Sequence, residues 1–370
     1  MGENIIVVHV STVHSWQDPR IFDKECKSLS AAGYDVHLIT QDGINSKVDG
    51  VQIHSLNYEI KNRLNRFFGA SKKIFQQALS LDPQVIHFHD PELIPAALKL
   101  AKNNNVHIIY DIHEDNTTAI RQREYLPEFI KPLVIWLVNF YERKAANKIH
   151  TIIAESYYSE RFPNAVPILN YPDLSWMEER KTDSIYPGLI YAGNVREDRG
   201  ALNHARILSY TDDFEVWSIG RCEPDLYDQM KKEAEDRSDK LVAKGVGAYV
   251  PFEEITELYK SKNWLAGLAL FPYSKHVKNK QLTKFFEYMA AGIPIIYSGM
   301  DAWVELLKPL GVGIAIDPQN KAEIKEAIQL LKDNPELHNR MGENGQKAVR
   351  EKFNWAREEK KLVDLYRSIK

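Results

Sequence analysis

The sequence predicts an α/β protein made of two Rossmann-like domains, each built on a mainly parallel β-sheet. Three observations carry this. Short β-branched apolar runs alternate along the chain with amphipathic stretches, the pattern of strand, crossover and strand units whose sheets are covered on both faces. At 370 residues the chain exceeds what one hydrophobic core usually organises. Two prolines, Pro167 and Pro172, interrupt any regular element in 166–173, the stretch that separates two series of strand candidates.

The first series comprises Ile5–Val10, Asp35–Thr40, Val51–Leu56, Val85–His89, His107–Ile112 and Thr151–Ala154. The second comprises Leu189–Ala192, Phe214–Ile219, Leu241–Lys244, Leu265–Leu270, Ile295–Tyr297 and Val312–Ile316. The expected domains are therefore 1–168 and 169–354, followed by a helix over Trp355–Tyr366 with apolar positions Ala356, Leu362, Val363 and Leu365. A net charge of −3 gives no general attraction to nucleic acid or anionic lipid. The two cysteines, Cys26 and Cys222, fit neither a disulfide scaffold nor a zinc spacing, and a reducing cytoplasm is expected. No stretch reaches the roughly 18 apolar residues that span a bilayer, and no secretion signal opens the chain.

Open parallel sheets bind ligands beyond the carboxyl ends of their strands, which directs the reading to His9–Arg20, His87–Glu92, Asp111–Asp115 and Ala192–Gly200. In the last of these, Gly193 and Gly200 let backbone approach a diphosphate, and Arg196 and Arg199 offer forked donors; a polar turn with solvated arginines reads the same residues equally well. The G-x-G-x-x-G dinucleotide fingerprint is absent. Further on, a helix is expected from a Thr283 cap through Ala291, stopped by Gly292 and Pro294. Its amino end suits a phosphate, Lys284 adds charge, and Glu287 either accepts from ribose hydroxyls or is a solvated first-turn glutamate. The stretch 245–251 reads as a glycine-rich connection.

These stretches, quoted as HVSTVHSWQDPRIFDKECKSLSAAGYDVHLIT, VIHFHDPELIP, YDIHED, LIYAGNVREDRG and above all KFFEYMAAGIPII, resemble the family 4 glycosyltransferases, the retaining group 1 enzymes, over nearly the whole chain. The resemblance implies the GT-B fold, with two Rossmann-like domains facing across a cleft and a C-terminal helix, about 355–370, returning to an acceptor-binding first domain. The second domain would hold the donor through Gly193, Asn194, Arg199, Tyr249, Val250, Asn279, Leu282, Thr283, Lys284 and Glu287. His113, Arg199 and Lys284 would act catalytically, and Asp18, Arg20, His89, Asp90, Glu92 and Glu114 would line the acceptor side. Two positions depart from the family: Asn279 stands where the first glutamate of an E-x7-E pattern belongs, and Asn194 where an arginine usually follows the phosphate-loop glycine.

The implied reaction moves a hexosyl group from a UDP- or GDP-sugar to a glycan or glycolipid hydroxyl with retention, in cell-surface polysaccharide biosynthesis, without cofactor. No D-x-D lies near the donor segments, so no metal is expected. A sugar-nucleotide 2-epimerase and a non-catalytic scaffold of the same fold are the alternatives. Lys61, Arg63, Arg66, Lys72 and Lys73 among Leu64, Phe67, Phe68 and Ile74, and the apolar stretch 126–140, suggest peripheral contact with the inner face of the cell membrane; helices packed on their own sheet are the commoner explanation.

Overall fold

The structure is a computed structural model that describes residues 5–59, 65–102, 106–122, 126–178, 184–211 and 213–369. It divides into two units, Met1–Asn170 with Trp355–Lys370, and Tyr171–Asn354. The division thus falls at Asn170 and Tyr171, against 168 and 169 from the prolines.

In the first unit the described strands are β1 (Ile6–Val10), β2 (Asp35–Thr40), β3 (Ser46–Val48), β4 (Val51–Ser55), β5 (Val85–Phe88), β6 (His107–Ile112), β7 (His150–Ile153) and β8 (Val166–Pro167). They form one sheet in the order β3-β4-β2-β1-β5-β6-β7-β8, parallel except where β3 meets β4. All four β5 side chains are buried, as befits a central strand covered on both faces. Alternate residues feed two cores: Val8, Val10, Ile86 and Phe88 face one side, and Val7, Val36, Leu38 and Ile109 the other. That second core is completed by Ile21, Phe22 and Leu29 and, from the end of the chain, by Trp355, Leu362 and Tyr366 of the helix Trp355–Ser368.

Two strands differ from expectation. β3 is too short and polar to show an apolar run. β8 falls in the stretch assigned no regular element; its Pro167 sits on an edge, where a missing N–H costs no ladder bond.

The second unit contains β9 (Tyr186–Ala192), β10 (Glu215–Cys222), β11 (Leu241–Val246), β12 (Trp264–Ala269), β13 (Ile295–Ser298) and β14 (Gly313–Ile316). These build a parallel sheet in the order β11-β10-β9-β12-β13-β14. Every residue of β12 is buried. The helix Thr283–Ala291 is pinned across its carboxyl end by Tyr288, whose hydroxyl lies 3.2 Å from the carbonyls of Ile190 and Leu268 and accepts the Ala192 N–H at 3.4 Å. Gly267 makes room for that ring, since a Cβ there would stand 2.5 Å from Tyr288. In each sheet the strand order reverses once, between β1 and β5 and between β9 and β12, and in open parallel sheets ligands bind beyond the carboxyl ends at such a reversal.

Candidate active site

At the reversal point of the second sheet, the loop after β9 and the helix Thr283–Ala291 bring a cation to glycine-lined backbone. Gly193 has φ +128°, where side-chain-bearing residues are strained, and a Cβ on it would stand 3.3 Å from Lys284 Nζ. The same loop crosses other backbone closely: a Cβ on Gly220 would lie 2.0 Å from the Gly193 carbonyl, and one on Gly200 2.1 Å from that of Leu270. Lys284 is 5% exposed, its Nζ 5.1 Å from the Tyr191 ring centroid and 5.7 Å from that of Phe271. Burial, reinforced by the charge of Arg199 and opposed by Glu287, lowers its pKa to about 8. His204, beneath it, is held neutral by burial and by the Lys284 charge, its pKa lowered to about 3, and its Nε2 accepts the Leu270 N–H at 3.1 Å.

No side chain caps the helix Thr283–Ala291. Thr283, expected as its cap, is instead the first helical residue, because Leu282 already takes the extended cap conformation (φ −68°, ψ 129°). An uncapped amino end with a buried ammonium beside it is chemically suited to an anion. One turn in, Glu287 Oε2 accepts the Tyr259 hydroxyl at 3.1 Å, so its carboxylate is held by a buried tyrosine rather than solvated at random. The helix ends on Gly292 in the left-handed region (φ 69°), as its sequence requires.

At the reversal point of the first sheet lies a buried polar cluster. Arg20 bonds both oxygens of Asp111 at 2.9 Å and sits 3.2 Å from Glu25 Oε1. His113 Nε2 is 2.7 Å from Asp111 Oδ2 and 2.9 Å from His89 Nδ1, and His89 Nε2 is 3.1 Å from His9 Nδ1. From the C-terminal helix, the Tyr366 hydroxyl lies 2.8 Å from His87 Nδ1. Burial would raise the Asp111 pKa, but Arg20 and His113 hold it well below the carboxylate range. Burial and the Asp111 charge push Glu25 up. His9, His87 and His89 are depressed chiefly by burial, His89 to about 4, so all three are neutral at pH 7. Nearer the surface, His14 Nδ1 is 3.2 Å from Asp18 Oδ2, and its ring stacks on His113 at 5.0 Å. Burial lowers the His14 pKa, yet Asp18, Asp90 and Glu114 outweigh it and raise the value to about 9.

Two groups in this cluster, His89 with Asp111 and His113, and His9 with Glu25, His87 and His89, bring ligand atoms within 4.8 Å of one another. A metal ion bound through Asp111 would compete with the Arg20 guanidinium, which already bonds both of its oxygens.

Similarity to other proteins agrees with this geometry. The family described as Glycosyltransferase Family 4 matches residues 20–162, and that described as Glycosyl transferases group 1 matches residues 219–348, together well over half of the chain. The chain belongs to the family 4, group 1 glycosyltransferases. No curated protein matches its sequence. Among solved structures, a sucrose-phosphate synthase from Thermosynechococcus elongatus is similar at TM-score 0.75 and 16% identity, covering 99% of each chain. A glycosyltransferase from Rickettsia africae superposes at 0.73 with 13% identity, over 100% of this chain and 99% of that one. HepE from Anabaena, solved in complex with UDP, follows at 0.67 and 10%, over 99% and 100%. These likenesses establish the GT-B fold.

Within this glycosyltransferase, the structure brings Gly193, Arg199, Lys284 and Glu287 together in the second unit. Asn194 is exposed while its carbonyl accepts the Tyr191 hydroxyl at 3.0 Å. Asn279 and Thr283 are exposed and Leu282 is half-buried. Tyr249 is 76% exposed, and Val250 is buried against Gly245. In the first unit, Arg20, His89 and Asp90 lie beneath the surface, with Asp90 tying down the β1 loop through Ser11 Oγ at 3.0 Å and Thr12 N at 2.6 Å. His113 is 11% exposed, Asp18 caps the segment Pro19–Cys26 through Arg20 N and Ile21 N, and Glu114 is exposed.

Sequence reasoning missed His14, Glu25, Tyr191 and Tyr259. The signal for Glu25 was present: it falls on the apolar stripe of Ile21, Phe22, Cys26 and Leu29, where a carboxylate requires a buried partner. His14 and Asp18 likewise sit four residues apart.

Proposed function

We propose that this glycosyltransferase moves a hexosyl group from a nucleoside diphosphate sugar, with uracil or guanine as base, to a hydroxyl of a glycan or glycolipid, with retention at the anomeric carbon. The observation that carries this reading is the buried Lys284 ammonium at an uncapped helix start, facing Gly193 and one turn from a tyrosine-held Glu287. The uncapped N–H groups, Lys284 and Arg199 bind the diphosphate and stabilise the charge that develops on its departing oxygen. Glu287 accepts from the ribose hydroxyls, and Gly193 lets the backbone approach the phosphates. Tyr249 and the backbone at Val250 meet the base, while Asn279 hydrogen-bonds sugar hydroxyls without a charge.

With Glu287 held by Tyr259 and assigned to the ribose, the acceptor's proton passes to the departing diphosphate oxygen on the face that the acceptor attacks. The residues supply positioning and electrostatics, and the chemistry needs no divalent cation. In the first unit, Asp111 fixes the ring of His113, which with Asp18 and Glu114 meets the acceptor; Arg20, His89 and Asp90 hold that surface in place from below. A UDP complex of the structurally similar HepE supports the choice of a nucleoside diphosphate. The acceptor is taken to be lipid-linked, presented at the inner face of a cell membrane in polysaccharide biosynthesis.

A thermal-shift panel of UDP, GDP, ADP, CMP and NAD tests this. One diphosphate nucleotide is expected to raise the melting temperature by several degrees in the wild type and not in Glu287→Ala, because selective binding to the native state stabilises it. No response to any of them would leave the scaffold alternative standing; sugar-nucleotide isomerisation without acceptor would favour the epimerase.

A further inference from the structure

The helix Lys131–Ala146 carries large apolar side chains on a face that its own unit leaves uncovered. Leu133, Trp136, Leu137 and Phe140 are 58%, 60%, 40% and 48% exposed, and Phe129, one turn earlier, is 82% exposed. Spacings of three and four residues put them on one stripe, along which the Trp136 and Phe140 rings stack at 5.8 Å. The opposite side of the helix is already committed. Ala145 is buried in the core, Tyr141 packs against it, and the buried Glu142 takes Asn116 Nδ2 at 2.7 Å and pairs with Arg161.

Among the described residues, the charge around the stripe is basic. Arg143 and Lys148 are exposed, and Lys144 Nζ lies 5.6 Å from the Phe140 ring centroid. Arg121 is exposed on the preceding helix, and its carbonyl takes Lys131 Nζ at 2.9 Å. The acidic residues of 126–148 are neutralised, Glu142 by Arg161 and Glu128 by Lys131.

We propose that this face docks the protein on an anionic lipid bilayer, with the stripe entering the boundary between headgroups and acyl chains while the basic rim contacts headgroup phosphates. A second copy of the chain fits less well. From Leu133 to Phe140 the stripe runs two helical turns, about 11 Å, one helix wide, a small part of the roughly 800 Å² per partner of a stable dimer. Two copies would also bring like-charged rims together. Of the other basic and aromatic segment, Lys61, Arg63 and Leu64 lie outside the described residues, and it plays no part here. The inference rests on the proposed lipid-linked acceptor for its purpose only.

The test is co-sedimentation of the full chain with phosphatidylcholine vesicles and with vesicles of phosphatidylcholine and phosphatidylglycerol, with the solution mass measured by light scattering. Partition into the mixed vesicles is expected to exceed that into phosphatidylcholine alone by at least about tenfold at low salt, and to fall as salt screens the rim. The double variant Leu133→Ser with Trp136→Ser is expected to lose at least about tenfold of that partition, while keeping the wild-type melting temperature and its response to nucleotide. Partition that the double variant leaves unchanged, or none into anionic vesicles, overturns the proposal; a lipid-free dimer that the double variant dissociates assigns the face to a second copy instead. The nucleotide response, read on the same samples, reports on the transferase reading separately, so either can fail alone.

Discussion

Arg20 grips Asp111 through both of its carboxylate oxygens, Nε to Oδ2 and Nη2 to Oδ1, each at 2.9 Å, and both side chains are buried. Asp111 in turn orients His113 and His89, so one ion pair fixes the ring for which an acceptor-side role is proposed. Removing the arginine leaves a buried carboxylate without its counter-charge. Arg20→Met is expected to lower unfolding free energy by roughly 3–5 kcal/mol, measured by urea unfolding. Arg20→Lys keeps the charge and loses the fork, and should fall between the two.

The elevated pKa of His14 makes a pH prediction whose sign is fixed. Its folded value, about 9, stands above the ordinary 6.5, so the stabilisation from Asp18, Asp90 and Glu114 is complete below pH 6.5 and is lost as pH rises through 9. The stability difference between wild type and His14→Gln should therefore shrink across that window by about 1–3 kcal/mol, the range left after discounting a shift of this size for its partial exposure. Taking the difference removes groups common to both proteins, Lys284 among them. A gap that stayed constant from pH 6 to about 9.5 would show that folding does not raise the His14 pKa.

Strand positions were readable wherever burial on both faces demanded β-branched runs, as at Val85–Phe88. β3 was not, because Ser46–Val48 at an edge is held by pairing to β4 rather than by an apolar pattern. The candidate site divides the same way. Gly193, Lys284 and Glu287 stand at strand and helix ends, where chain position alone gives an environment. A partner such as Tyr259 for Glu287 comes from an element 28 residues away, a relation that no local window contains.

Lys284 sets stability against binding. Its ammonium is buried with no carboxylate of a described residue within bonding distance, and burial lowers its pKa to about 8. Lys284→Met keeps the length and removes the charge, so the unliganded protein should be at least as stable as wild type. Nucleoside diphosphate affinity should drop about 10- to 100-fold with the loss of a charge-assisted contact. Calorimetric titration alongside thermal melting separates the two effects. In the wild type, affinity should weaken as pH rises through about 8, where the free enzyme's ammonium deprotonates.

The proposed scheme gives the charge-stabilising role to Lys284, Arg199 and the helix start, and so predicts metal independence. Transfer activity is expected to survive excess EDTA within about twofold, and added Mg²⁺ should not restore a Lys284→Met variant. Loss of activity on chelation, recovered by Mg²⁺, would sink the scheme.

The C-terminal helix yields the sharpest structural prediction. Leu362 is fully buried and belongs to the same apolar cluster as Val7, Val36 and Leu38, so residues from the two ends of the chain share one core. Leu362→Ala removes three carbons there, leaving a cavity that the flanking strands cannot close without breaking register, at a cost of about 2–5 kcal/mol. Tyr366→Phe, by contrast, keeps the ring and deletes only the hydroxyl 2.8 Å from His87. Its cost should be about 1–2 kcal/mol, and its effect should reach the histidine cluster. Proton NMR of the His9, His87 and His89 ring resonances should shift in Tyr366→Phe, while the nucleotide response of the second unit stays at wild-type strength. Unchanged histidine resonances would show that the hydroxyl does not bond the cluster in solution.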